Sequence, residues 1–458
     1  MMTNAPMVGT PTRRPVSSPP VTYVEVKANM EHSICLHSGS ISDLALTDVP
    51  GEVLMASDDK SLSLYNFKSR AVEKWSHHSK GVTRVAWSPH DGSIFSGSRD
   101  STIRQWKRGT FKEVQAYRGH ILAVSALALA SSSTRGSSPL LISGARDYSL
   151  RTWSIETGQQ ISMHTIAKNI VTSIKWISPN DRGNSAFNGK IVDPIDSACL
   201  NSYSLSSPPS SSLVDSGTDP YCFLQTSEDP YAGVRIWDVR MMLPVQTFAS
   251  DGGKIIRAVQ SDPYDSMKFI AATESTNDSG SEIRLWDRRM CINSEPSLTS
   301  SSFDPLLTLS AHADSINSIV YLPTGSNGSS TYVATASSDK SLKIWDLSSS
   351  TSDSSRCTQV LTYRTGRTAI SQLRSQPVEF TSIVVNDQPI MNPSQLFSSS
   401  GSVRSDSSNS SQPVYLLYSS TSSGIVSSWC WNPKAHQLEL IAQTNPTSNN
   451  TNNINATR

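Results

Sequence analysis

The chain has 458 residues, of which 36% are apolar and 17% charged, with a formal net charge of +1. That balance leaves no electrostatic footprint for nucleic acid or for an acidic membrane surface. No apolar run reaches the roughly 18 residues that a membrane span requires, so membrane insertion is not expected.

Residues 1–20 are rich in Pro, Ser and Thr and are expected to be disordered. Their start lacks an apolar signal core, which points to a cytoplasmic protein. The six cysteines (Cys35, Cys199, Cys222, Cys291, Cys357 and Cys430) form no CxxC pair and no Cys/His spacing suited to zinc. Dispersed thiols of this kind fit a reducing compartment.

Residues 21–26 alternate weakly and form a candidate strand. From about His37 a unit recurs that ends on a large aromatic: Tyr65, Trp106, Trp153, Trp237, Trp286, Trp345 and Trp429. Each copy reads as short strands separated by turn residues. Repeats of this size predict a closed architecture of four-stranded blades. The steps from Trp153 to Trp237 and from Trp345 to Trp429 are about twice the expected ~40–45 residues. Both contain low-complexity inserts, at about 180–219 and 386–412, and no further Trp-terminated phrase. The reading is therefore an all-β, seven-bladed β-propeller of four-stranded antiparallel blades over residues 21–443, with eight blades as the lesser alternative. The tail 444–458 is Asn/Thr-rich and is expected to be disordered. Either residues 438–441 or residues 21–26 would complete the last blade.

Three copies carry a fixed constellation: His78, Ser96, Asp100, Trp106; His120, Ser143, Asp147, Trp153; and His312, Thr335, Asp339, Trp345. A buried imidazole and a buried indole N–H need hydrogen-bond partners, and a hydroxyl and a turn carboxylate supply them. The first copy keeps only His37, Asp59 and Tyr65, and the fourth and fifth lack the His. These sets superficially resemble catalytic triads. They occur in several copies, each ending on a Trp that a hydrolase does not need, so the structural reading wins. No GxSxG elbow, phosphate-binding glycine loop or HExxH helix is present. No enzyme activity, cofactor, metal or small-molecule substrate is expected. A basic residue two before the terminal aromatic (Arg104, Arg151, Arg235, Arg284, Lys343) is read as a stem packed on the blade edge with its head in water.

At Gly119-His120, Ser143-Gly-Ala-Arg-Asp147, Trp153 and Val234-Arg-Ile-Trp-Asp238 the chain resembles the WD-repeat family, over about residues 37–431. The resemblance implies a propeller around a channel and a hydrogen-bonded His, Ser or Thr, Asp and Trp within a blade. Three phrases, residues 95–100, 169–176 and 223–229 leading to Trp237-Asp238, resemble one branch of that family. That likeness implies a non-catalytic scaffold in cilium assembly or ciliary trafficking, placed at the cilium or ciliary base.

The expected partners are other proteins, met on the face that carries the turn aspartates. Lys80, Arg99, Arg146, Lys168 and Lys254 are the candidate residues, forming a basic sector for an acidic segment; the plain alternative is ordinary solvated charge. A rival class is substrate recognition for a ubiquitin ligase, in which clustered arginines read phosphorylated segments. Nucleic-acid binding is disfavoured by the near-neutral charge.

Overall fold

The structure, a computed structural model, describes residues 21–27, 36–89, 91–130, 140–166, 169–177, 222–229, 233–248, 253–276, 279–291, 305–324, 332–348, 356–364, 378–390 and 413–444. Both inserts, apart from residues 386–390, lie outside them, as do residues 1–20, 445–458 and Lys168.

Short runs of β-branched and aromatic residues between Asp, Ser, Asn and Gly turns give strands of four to eight residues. They assemble into seven four-stranded antiparallel blades, each from one stretch of chain. Blade one is Ile41–Leu46, Glu52–Ser57, Leu62–Asn66 and Val72–Trp75, and blade two is Val82–Trp87, Ser93–Ser98, Thr102–Lys107 and Lys112–Arg118. Blade three is Val124–Leu129, Leu140–Ala145, Ser149–Ser154 and Gln160–Thr165, and blade four is Val171–Trp176, Cys222–Ser227, Val234–Asp238 and Leu243–Phe248. Blade five is Ile256–Ser261, Lys268–Thr273, Ser281–Asp287 and Leu307–His312. Blade six is Ile316–Leu322, Tyr332–Ser337, Ser341–Asp346 and Cys357–Arg364. Blade seven is Phe380–Val385, Tyr415–Thr421, Val426–Asn432 and Gln437–Gln443. The fold is a seven-bladed β-propeller.

The choice between residues 438–441 and 21–26 is settled here. The outer strand of blade seven is Gln437–Gln443. The N-terminal strand, Thr22–Lys27, pairs in parallel with Cys357–Arg364 and makes blade six five-stranded. Thr444, where the tail was set to begin, is buried and accepts a hydrogen bond from the Val426 N–H. Asn386 and Ile390, at the start of the second insert, bond back to Leu416 and Val414.

Burial comes from blade faces stacking around the ring. The third-strand tryptophan of each of blades two to five is fully buried against the preceding blade. Trp75 of blade one packs on Trp106, Tyr117 of blade two on Trp153, and His164 of blade three on Trp237, with ring centroids 6.4, 5.8 and 4.8 Å apart. Burying a side chain of this size stabilises by roughly 1.5–3 kcal/mol or more. Gly144 lets the blades approach closely, because a Cβ there would lie 2.5 Å from Val171 Cγ1 of the next blade.

A belt of side chains also runs round the axis. The second residue of an inner strand donates to the carbonyl of the first residue of the next blade's inner strand. Ser42 reaches Val82 at 2.7 Å, Thr83 reaches Val124 at 2.6 Å, and Ser125 reaches Val171 at 2.5 Å. Thr172 reaches Ile256 at 2.8 Å, and the Asn317 amide reaches Phe380 at 2.7 Å. At the other two junctions the residue turns elsewhere: Arg257 to Glu274, and Thr381 to Ser420. The seam between blades seven and one is held instead by Ser382 on Asp43 and by apolar packing of Leu416, Tyr418 and Val426 against Leu44, Val53 and Met55.

Candidate protein-interaction face

The three constellations are closed hydrogen-bond chains. In blade three the Trp153 indole N–H donates to Ser143 Oγ at 2.8 Å, Ser143 lies 2.7 Å from His120 Nε2, and His120 Nδ1 lies 3.0 Å from Asp147. Blade two repeats this with Trp106, Ser96, His78 and Asp100 at 2.8, 2.8 and 2.9 Å. Blade six does so with Trp345, Thr335, His312 and Asp339 at 2.9, 2.7 and 2.8 Å. An indole N–H can only donate and a carboxylate can only accept, so the hydroxyl donates to Nε2 and Nδ1–H donates to the Asp. Burial pushes the His120 and His312 imidazoles below their ordinary value of 6.5, against the pull of their Asp partners. Burial works to raise Asp100, Asp147 and Asp339. The His partners and the Thr102, Ser149 and Ser341 hydroxyls outweigh it and hold these carboxyls well below the usual range. Each His stands in the loop after the preceding blade's outer strand or at that strand's end, so the network fastens one blade's exit to the next blade's turn. Ser96, Ser143 and Thr335 are fully buried and already bonded, which removes them as nucleophiles.

The remaining blades improvise. In blade one the hydroxyl comes from Ser63 on the third strand, 2.6 Å from His37, because Met55 occupies the second-strand position opposite it. In blade four Gln225 accepts the Trp237 indole N–H at 3.1 Å, and Asn169 donates to Asp229 at 3.1 Å. In blade seven Trp429 donates to Ser419 at 2.8 Å. In blade five Ala271 stands where blades two, three and six carry a hydroxyl. There Lys254 Nζ donates to Gly280 O at 2.8 Å and to Glu282 at 2.6 Å, with Arg284 on the same carboxylate. Lys254 is buried, which corrects its placement in the exposed basic sector: it is an internal anchor. The expectation that the basic residues before the tryptophans keep their heads in water is corrected for two of the five. Arg151 and Arg284 are buried and bonded to Gln160 and Glu282.

One face of the ring is regular. The residue after each second strand donates its backbone N–H to the loop before the inner strand. In order these residues are Asp58, Arg99, Arg146, Glu228, Glu274, Ser338 and Ser422. Arg99 and Arg146 therefore lie on the same face, on adjacent blades. Acidic residues flank them on both sides, so the basic sector is narrower than the sequence suggested. Arg99 is already matched by Asp58 at 3.1 Å. Lys80 and Arg146 are exposed, and among the described residues neither has an ion-pair partner. Beside Arg146 stand Ile121, Leu122 and Tyr148, exposed by 79%, 51% and 38%. Tyr148 holds a left-handed backbone with φ 65°, an uncommon conformation for a bulky residue. The charge pattern drew attention to Arg146; the apolar residues beside it carried no repeat signal and were missed.

Seven four-stranded blades with these side-chain chains define a β-propeller that resembles those of the WD-repeat kind. The family model for the WD domain, G-beta repeat, matches residues 69–107 and 303–346, the segments that contain the sets in blades two and six. The chain is similar to Pre-mRNA-processing factor 19 of Bos taurus, 28% identical over 135 residues, which are 28% of this chain and 26% of that protein. It is 24% identical over 313 residues to the Ribosome biogenesis protein WDR12 homolog of Chlamydomonas reinhardtii, covering 65% of this chain and 61% of that one. To Nuclear distribution protein PAC1 of Arthroderma otae it is 23% identical over 344 residues, 70% and 62% of the two chains. The matches thus span from about a quarter to about three fifths of these relatives' lengths. No helix among the described residues is long and apolar enough to cross a membrane.

Proposed function

We propose that the chain is a non-catalytic protein-interaction scaffold that docks an acidic, apolar-anchored segment of a partner on blade three's share of the regular face. The observation that carries this reading is the cluster of exposed Ile121, Leu122 and Tyr148 around the ion-pair-free Arg146. Exposed aromatic and aliphatic anchors beside an arginine are the make-up of interface centres. Lys80 and Arg99 on blade two extend the positive sector. The relatives' names speak of pre-mRNA processing, ribosome biogenesis and nuclear distribution, and this spread supports a shared scaffold role rather than one pathway. The phrases at residues 95–100, 169–176 and 223–229 resemble WD repeat-containing protein 31. That likeness supports work in cilium assembly or ciliary trafficking, in the cytoplasm or at the ciliary base.

The test is quantitative affinity purification of the wild type against an Arg146→Glu/Ile121→Ser pair. The side chains are exposed, so stability should change by less than about 0.5 kcal/mol, while a defined set of partners is lost. An unchanged partner list with an unchanged melt would end this reading. Tagged protein absent from cilia in ciliated cells would end the ciliary part of it.

A further inference from the structure

The inner strands of all seven blades enclose an axial channel of about 490 Å³. Its wall is not uniform. The fifth residue of the inner strand is Ala45, Ala86 and Ala128 in the first three blades, but Lys175 in blade four. Lys175 lines the channel and is exposed to it. Among the described residues it makes no hydrogen bond or ion pair. A second cation, Arg84, lines the same channel. Its guanidinium donates only to the carbonyls of Thr83 at 2.9 Å and Thr172 at 3.4 Å. Asp43 is the carboxylate whose charge acts on Lys175. It is already engaged, accepting the Val85 N–H at 3.1 Å and the Ser382 hydroxyl at 3.4 Å. Enclosure by the surrounding blades, deep in the channel though open to its lumen, pushes the Lys175 amine below its ordinary value; the Asp43 charge works against that and the Arg84 charge works with it. Among the described residues, the channel wall therefore holds two cations that pair with no carboxylate, in a space wide enough for a small polyatomic anion.

We propose that the axial channel binds a phosphate group between Lys175 and Arg84. The guanidinium offers a planar fork and the ammonium a point charge, a pairing suited to phosphate oxygens. The group could be free phosphate or could arrive on a phosphorylated side chain, and the two sources share this chemistry. The site is separate from the docking patch at Arg146 and does not depend on it.

Isothermal titration of inorganic phosphate into the full chain, at constant ionic strength with chloride as the control anion, tests the site. One saturable site is expected, weakened about tenfold or more in Lys175→Gln and largely restored in Lys175→Arg. Phosphate should raise the melting temperature of the wild type, by mass action on the folded state, and not that of Arg84→Gln. Arg84→Gln keeps the test open should Lys175→Gln fail to fold. O-phosphoserine binding more tightly than phosphate would assign the source to a phosphorylated chain; weaker binding would assign it to the free ion. Absence of saturable binding in the wild type, or equal affinity in wild type and Lys175→Gln, overturns the proposal. Arg146→Glu should leave phosphate affinity unchanged, which separates this site from the docking reading.

Discussion

Blades three and five solve the same problem with different chemistry. Each must fasten the loop entering its inner strand to the turn between its second and third strands. Blade three does it with a hydrogen-bond relay that ends on a single carboxylate, from Trp153 through Ser143 and His120 to Asp147. Blade five has Ala271 and Ser275 at the positions of Ser143 and Asp147, and Lys254, Glu282 and Arg284 form an ionic clasp instead. The relay is directional, because the indole can only donate, the carboxylate can only accept, and the hydroxyl and imidazole between them do both. The clasp depends on charges that stay paired while buried. The fold thus requires a satisfied anchor at this place, and the repeat signature is only one way to supply it.

The comparison breaks most sharply at the turn. Asp147→Ala leaves His120 and the Ile121 and Ser149 amides without their acceptor and should cost about 3 kcal/mol. The equivalent Ser275→Ala loses an exposed contact to Asp314 and a long one to the Ser315 hydroxyl, and should cost about 1 kcal/mol or less in urea denaturation. Similar losses for the two would mean that blade five uses its turn as blade three does. Next in size is Lys254→Met, which removes the donor to Gly280 and one of two cations on Glu282. About 2 kcal/mol should be lost, with partner binding retained in the folded fraction. Loss of partners without loss of stability would return Lys254 to the docking surface.

The smallest effect is in the pH response. His120 and His312 are held below 6.5 in the fold, so the unfolded chain takes up protons first as pH falls. Their contribution is complete above pH 6.5 and declines below it. The lowered carboxyls of Asp100, Asp147 and Asp339 contribute above their ordinary 3.8, and that contribution is lost at still lower pH. A melting temperature that falls from pH 7.5 to pH 5.5, and falls less in His120→Asn, is the expected result. A flat profile would show that the imidazoles are protonated equally in both states.

Much of the fold was legible because its strands are local. The aromatics from Tyr65 to Trp429 that end each repeat all lie on a blade's third strand, and blade two's turn and tryptophan announced themselves through spacing alone. The seven-blade count followed because low-complexity inserts, not further repeats, lengthen blades four and seven. The blade-one hydroxyl was not legible: Ser63 replaces a second-strand serine only because Met55 and Ser63 face each other across two strands. The docking patch was half legible. Arg146 stood out by charge, but only the ring's geometry set Glu228 on the neighbouring blade and Ile121, Leu122 and Tyr148 around it.

The sequence by itself determined the repeating blade, its turn aspartates and its terminal aromatics, because strand alternation and turn chemistry act over a few residues. Only the tertiary structure decided what lies between blades. The belt from Ser42 to Val82 and onward, the buried clasp at Lys254, the channel wall at Lys175 and the parallel seat of Thr22–Lys27 on blade six all pair residues far apart in the chain. Such contacts leave no local period to read. They form because closing the ring brings each inner strand against the next and commits every buried polar group to find its partner there.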